Sequence, residues 1–82
     1  MPPIKIYTLS TCSHCKSAKA LLNECSVPFD AVDVDRLDGD ARKEAIEAVR
    51  EVNPNLSFPT LIIGDTVIVG FKEEAIRKAL DQ

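Results

Sequence analysis

The sequence predicts an α/β domain, a four-stranded mixed sheet flanked by three helices in the order β-α-β-α-β-β-α. Three observations predict it. Short β-branched, apolar runs alternate with longer stretches of helical periodicity. The first strand, helix and second strand form a βαβ unit, which implies two parallel strands joined by a right-handed crossover. Two short apolar runs late in the chain are separated only by a turn, which makes a hairpin and adds two antiparallel strands. Helices on both sides of such a sheet would bury both of its faces.

Ile4 to Leu9 is short, apolar and bounded by Pro3 and Ser10, as suits a buried central strand. From Ser13 to about Glu24 the apolar positions Cys15, Ala18, Leu21, Leu22 and Cys25 recur at helical spacing, with Lys16, Lys19 and Asn23 on the other face. Ser10 or Thr11 is the expected cap, and Ser26-Val27-Pro28 stops the helix. Phe29, Ala31, Val32 and Val34, interleaved with Asp30, Asp33 and Asp35, form a second strand. Leu37-Asp38-Gly39-Asp40 is a turn, with Asp40 as N-cap of a helix that buries Ala45, Ala48, Val49 and Val52 and ends at Asn53-Pro54. Thr60 to Ile63 and Val67 to Val69 flank a Gly64-Asp65-Thr66 turn. A last helix, Lys72 to Leu80, has Glu73 and Glu74 early and Arg77 and Lys78 late, matching the helix dipole, and would bury Ala75, Ile76, Ala79 and Leu80.

Eighty-two residues make one domain, residues 1–82, near the lower size at which a core holds without staples. With 45% apolar and 28% charged residues the chain is an ordinary globular one. A net charge of −3 without a basic patch argues against nucleic acid as a partner. Met1-Pro2-Pro3 lacks the basic and apolar regions of a signal peptide. No apolar run approaches the roughly 18 residues of a membrane span. Three cysteines are no disulfide framework for a secreted domain, so the expected compartment is the cytoplasm.

Chemistry concentrates in Thr11-Cys12-Ser13-His14-Cys15-Lys16. Cys12 stands where the first strand gives way to the first helix. Backbone N–H groups and the positive helix end favour a thiolate there, lowering a cysteine pKa from ~8.5 toward ~3.5–7.5. Cys15, one turn on, can form a disulfide with it. Strand–Cys-x-x-Cys–helix is a pattern of thiol–disulfide exchange. Half a zinc site is the rival, but zinc needs four ligands, and only His14 and the distant Cys25 could add to the pair. No metal site is expected. The aspartates between Asp30 and Asp40 fail the EF-hand pattern, since counting from Asp33 puts Leu37 at position 5. They are expected as outward strand residues, a turn and a cap. His14 can tune the dithiol as a cation or proton relay, or be an exposed loop residue. Lys16 adds positive potential near Cys12 or is a solvated helix charge. Cys25 is expected in the core.

The motif and the element order resemble the glutaredoxin branch of the thioredoxin fold, and the resemblance covers nearly the whole chain. The matching residues are Tyr7-Thr8 leading into Cys12-Ser13-His14-Cys15-Lys16, then Phe58-Pro59-Thr60 and Val69-Gly70-Phe71. The resemblance implies that Cys12 attacks and Cys15 resolves. It implies a cis-proline at Pro59 and a substrate groove that engages His14, Lys16, Phe58, Pro59, Gly70 and Phe71, with Lys16 placed to receive a glutathione carboxylate. It also implies a thiol–disulfide oxidoreductase that reduces protein disulfides, ribonucleotide reductase among them, or glutathione mixed disulfides. No cofactor is tightly bound, glutathione is a candidate co-substrate, and a monomer is expected. Three departures stand out: Ser13-His14 where many members have Pro-Tyr, Leu9 where a lysine is common, and Gly70-Phe71-Lys72 where Gly-Gly and an acid hold the γ-glutamyl end of glutathione. The last is closer to NrdH-type redoxins, which draw electrons from thioredoxin reductase, so both donors stand as candidates. The alternative function is that of members that dimerise around an iron–sulfur cluster held by thiolates and glutathione.

Overall fold

A computed structural model describes residues 3–81; Met1 and Pro2, on which the leader expectation partly rests, and Gln82 lie outside the described residues. The observed order is β1 (Ile4–Thr8), α1 (Ser13–Glu24), β2 (Asp30–Asp33), α2 (Gly39–Val52), β3 (Thr60–Ile63), β4 (Thr66–Val69) and α3 (Glu73–Leu80). A single 3-10 turn, Val34–Arg36, follows β2. The strands are ordered β2-β1-β3-β4, with β1 parallel to β2 and antiparallel to β3. β3 and β4 form the expected antiparallel hairpin. The mixed sheet and the element order agree with the sequence reading.

Side-chain alternation sorts the core into two layers. Ile4 and Ile6 of β1, Leu61 and Ile63 of β3 and Ile68 of β4 pack against Ala18, Leu21 and Leu22 of α1 and Ile76 and Ala79 of α3. Tyr7 faces the other way, into a cluster with Val34, Ala45 and Val49, so α2 covers that face. β1, enclosed between two strands and two layers of helix, ends at Thr8, and the chain emerges there to carry the two cysteines.

Several boundaries and faces differ from expectation. β2 ends at Asp33, and Val34 joins the core from the following 3-10 turn. α2 starts at Gly39 with Asp38 as its N-cap, two residues ahead of Asp40, and Gly39 takes a φ of +56° that glycine adopts without a Cβ penalty. Val52 at the end of α2 and Ala75 in the first turn of α3 are exposed rather than buried. No helix among the described residues is long and apolar enough to cross a membrane.

Candidate active site

The end of β1 is bolted before it turns into α1. Ser10 donates from its backbone N–H to Asp35 Oδ1 at 2.9 Å, and its hydroxyl bonds the other carboxylate oxygen. The Cys12 N–H then donates to Leu9 O at 3.1 Å, closing a tight turn. Ser10 is thereby engaged elsewhere, and the N-cap of α1 is Cys12 itself rather than Ser10 or Thr11. Its backbone is extended (φ −85°, ψ 120°) and its Sγ accepts the Cys15 N–H at 3.4 Å. The Cys12 sulfur is thus the capping group, and the orphan N–H groups of the first turn are aimed at it.

The two thiols sit in opposite environments. Cys12 is partly exposed at the surface, whereas Cys15 is 1% exposed. The Cys12 pKa is lowered, first by the Cys15 thiol hydrogen-bonding to its sulfur; burial opposes this, and the backbone N–H groups of Cys15 and His14 add to the lowering. The Cys15 thiol is pushed up to about 11, chiefly by burial, with the neighbouring Cys12 also raising it. Its opposing stabilisers are the Leu9 backbone and the Lys19 charge. One thiolate-prone sulfur at the surface beside one buried, protonated sulfur is the asymmetry that sequential disulfide exchange uses.

The other wall comes from the loop between α2 and β3. Asn53 is 4% exposed and donates from Nδ2 to Ser57 O at 3.0 Å and to Thr60 Oγ1 at 3.2 Å. Thr60 Oγ1 in turn donates to Ser57 O at 2.8 Å. This clamp fixes the approach to Pro59, whose peptide bond with Phe58 is cis. Pro59 is fully buried, and its carbonyl accepts the Gly70 N–H at 2.8 Å. Because Tyr7 pairs with Thr60 and Thr60 with Val69, Pro59 and Gly70 lie at the sheet end where the Cys12 turn emerges. Gly70 has a φ of +87° with open space where a Cβ would stand, so conformation rather than crowding calls for glycine.

The remaining expected site residues are distributed around this end. Ser13, His14 and Lys16 are exposed on the first turn of α1, and His14 acts on Cys12 through its backbone N–H. Phe58 and Phe71 are both half-buried but on opposite faces of the sheet: Phe58 packs on the α2 layer and Phe71 on the α1/α3 layer. Cys25 is the C-cap of α1, half-buried, with its Sγ 3.8 Å from Arg77 Nη1. Among the described residues no group of three or more His, Cys, Asp or Glu side chains is arranged to hold a metal ion.

The sequence reading missed a polar group beneath the dithiol. Lys19, expected on the solvent face, is half-buried and its Nζ lies 3.0 Å from Asp33 Oδ1. Asp33, expected as an outward strand residue, turns onto the α1 face and accepts the hydroxyl of the fully buried Thr8. That hydroxyl first, then the Lys19 ammonium, holds the Asp33 carboxyl below the ordinary range. One signal in the sequence points there, Lys19 following Cys15 by four residues on one helix face; the pairing of Thr8 with Asp33 is set by the parallel register of β1 and β2.

The glutaredoxin family profile matches residues 4–68. The structure is similar to that of the glutaredoxin of Methanosarcina mazei, with 50% identity and a TM-score of 0.92 over 99% of this chain and 80% of that one. It is also similar to the methanoredoxin of Methanosarcina acetivorans, with 45% identity and a TM-score of 0.94 over 99% of this chain and 86% of that one. The glutaredoxin-like NrdH-redoxin of Escherichia coli, whose activity profile is thioredoxin-like, matches with 30% identity and a TM-score of 0.77 over 93% of this chain and 92% of that one.

Proposed function

Because the chain belongs to the glutaredoxin family and is a thiol–disulfide oxidoreductase, we propose that Cys12 and Cys15 are its catalytic pair and that it reduces protein disulfides by a dithiol route. Cys12 attacks one sulfur of the target, forming a mixed disulfide and releasing the first target thiolate. Cys15 loses its proton to solvent and attacks Cys12, releasing the second thiolate and leaving the Cys12–Cys15 disulfide. A donor thiol pair then returns two electrons. The observation that carries this reading is the opposed tuning of two thiols one helical turn apart, one exposed and lowered, the other buried and raised. No feature among the described residues favours the iron–sulfur alternative.

Glutathione serves this family as a co-substrate rather than as a tightly bound group. Here Lys72, exposed and capping α3 without a side-chain hydrogen bond, stands where the resemblance calls for an acid to receive an ammonium. Like charges repel, so the proposed donor is a thioredoxin-reductase-type dithiol, the preference of NrdH-type redoxins. Phe58, the Pro59 backbone, Gly70 and Phe71 are proposed to line the groove for the target chain, with His14 and Lys16 at its rim.

The test is turnover of a small disulfide with two purified donor systems side by side, following NADPH loss. One is glutathione with glutathione reductase, the other thioredoxin reductase. The expected result is faster turnover with thioredoxin reductase. Turnover with glutathione alone would mean that the Gly70–Lys72 loop still receives glutathione, and would contradict the donor assignment.

A further inference from the structure

Resting on the dithiol route proposed above, we infer that Lys19, anchored by Asp33 and Thr8 beneath the first helix, is a positioning residue for the second step, holding an ammonium where the Cys15 thiolate must form. The anchoring is tripartite. Thr8, fully buried at the end of β1, donates to Asp33; Asp33, at the end of β2, accepts the Lys19 ammonium at 3.0 Å; and Arg36 of the 3-10 turn approaches the other Asp33 oxygen at 3.8 Å. Lys19 stands four residues after Cys15, one helical turn along the same face. With 30% of its side chain exposed, it is a lysine drawn inward to this pair rather than one solvated at full length.

The need for such a charge follows from the resting state. A thiol at about 11 is thiolate in about one part in ten thousand at pH 7, too little for prompt attack on the mixed disulfide. Two of the influences that hold it there, the hydrogen bond to Cys12 and the Cys12 negative charge, vanish once Cys12 is capped by substrate. Burial remains, opposed by the Leu9 backbone N–H and the Lys19 charge. Lys19 is absent from the influences on Cys12, which are Cys15, burial and the His14 backbone. The charged and titratable groups around the buried thiol are therefore Cys12 and Lys19 on α1, Asp33 on β2 and Arg36 beyond it, with His14 and Lys16 on the outer side of the turn. Lys19 thus bears on the buried sulfur, from one helical turn along its face.

The steps separate cleanly with one equivalent of an aromatic disulfide that yields a coloured thiolate. Cys12 thiolate attacks it, forming the Cys12–aryl mixed disulfide and releasing the first coloured thiolate. Cys15, its proton passed to solvent, then attacks the Cys12 sulfur, forming the Cys12–Cys15 bond and releasing the second. Stopped-flow absorbance on the full chain resolves both phases across a pH series. In Lys19→Met the first phase is expected to be unchanged, while the second slows severalfold and its pH midpoint moves upward. Lys19→Arg, which keeps the charge, is expected to restore the second phase. An unchanged second phase in Lys19→Met overturns the inference. So does equal slowing of both phases, which marks general loosening, or failure of the arginine to rescue. Absence of the first phase in the unsubstituted chain would instead overturn the dithiol route itself.

Discussion

Cys12→Ser is expected to abolish turnover with every donor. A serine hydroxyl at the N-cap still accepts the Cys15 N–H and keeps the start of α1 in place. It does not ionise near neutral pH, so no nucleophile forms at the surface and the mixed disulfide is never made. The expected loss is on the order of a thousandfold or more, as when the nucleophile is removed from other covalent catalysts. Stability should change little, because Cys12 is only partly buried and its cap survives the substitution. NADPH-coupled turnover, read beside a thermal melt, checks both halves. Substantial protein-disulfide reduction by Cys12→Ser would remove Cys12 from the nucleophile's role.

Substituting Cys15 stops the reaction one step later. In Cys15→Ser the mixed disulfide at Cys12 still forms but has no internal thiol to resolve it, so the adduct accumulates as one covalent target per protein. Reduction of protein disulfides by the dithiol route is expected to cease, while exchange of glutathione at Cys12, which needs one sulfur, can persist. The two small replacements should also differ in a way that tests the hydrogen bond. The Cys15 thiol is the largest influence lowering the Cys12 pKa. Serine can donate in its place, whereas alanine cannot. Cys12 is therefore expected to titrate higher in Cys15→Ala than in Cys15→Ser. Intact-mass spectrometry of the trapped adduct and thiol titration by ultraviolet absorbance read the two effects separately.

The parts of this fold that were legible in the sequence are those set by local pattern. The β1 run, the helical spacing of Ala18, Leu21 and Leu22, and the turn at Gly64-Asp65 each declare their element within a few residues. The Cys-x-x-Cys pair at a strand-to-helix junction declared the chemistry as well. What escaped was decided by residues far apart in the chain. Ser10 looked like a cap for α1, but Asp35, 25 residues on, takes both its backbone N–H and its hydroxyl. Periodicity alone places Lys19 and Asp33 outward, yet the two pair at 3.0 Å and are both largely withdrawn from solvent. Ala75 and Val52 fit an apolar stripe by spacing, but both are exposed. Periodicity assigns a face to a residue; only the neighbouring layer settles whether anything lies against it.

The most direct test of the central claim, that one exposed acidic thiol works with one buried basic one, is alkylation of the reduced protein by iodoacetamide as a function of pH. Fragment-ion spectrometry locates the label within the peptide that holds both cysteines. The expected result is modification at Cys12 alone at neutral pH, with a midpoint below that of an ordinary thiol, and modification of Cys15 only in strongly alkaline solution. Labelling of Cys15 before Cys12, or a Cys12 midpoint at or above the ordinary thiol value, would contradict the account.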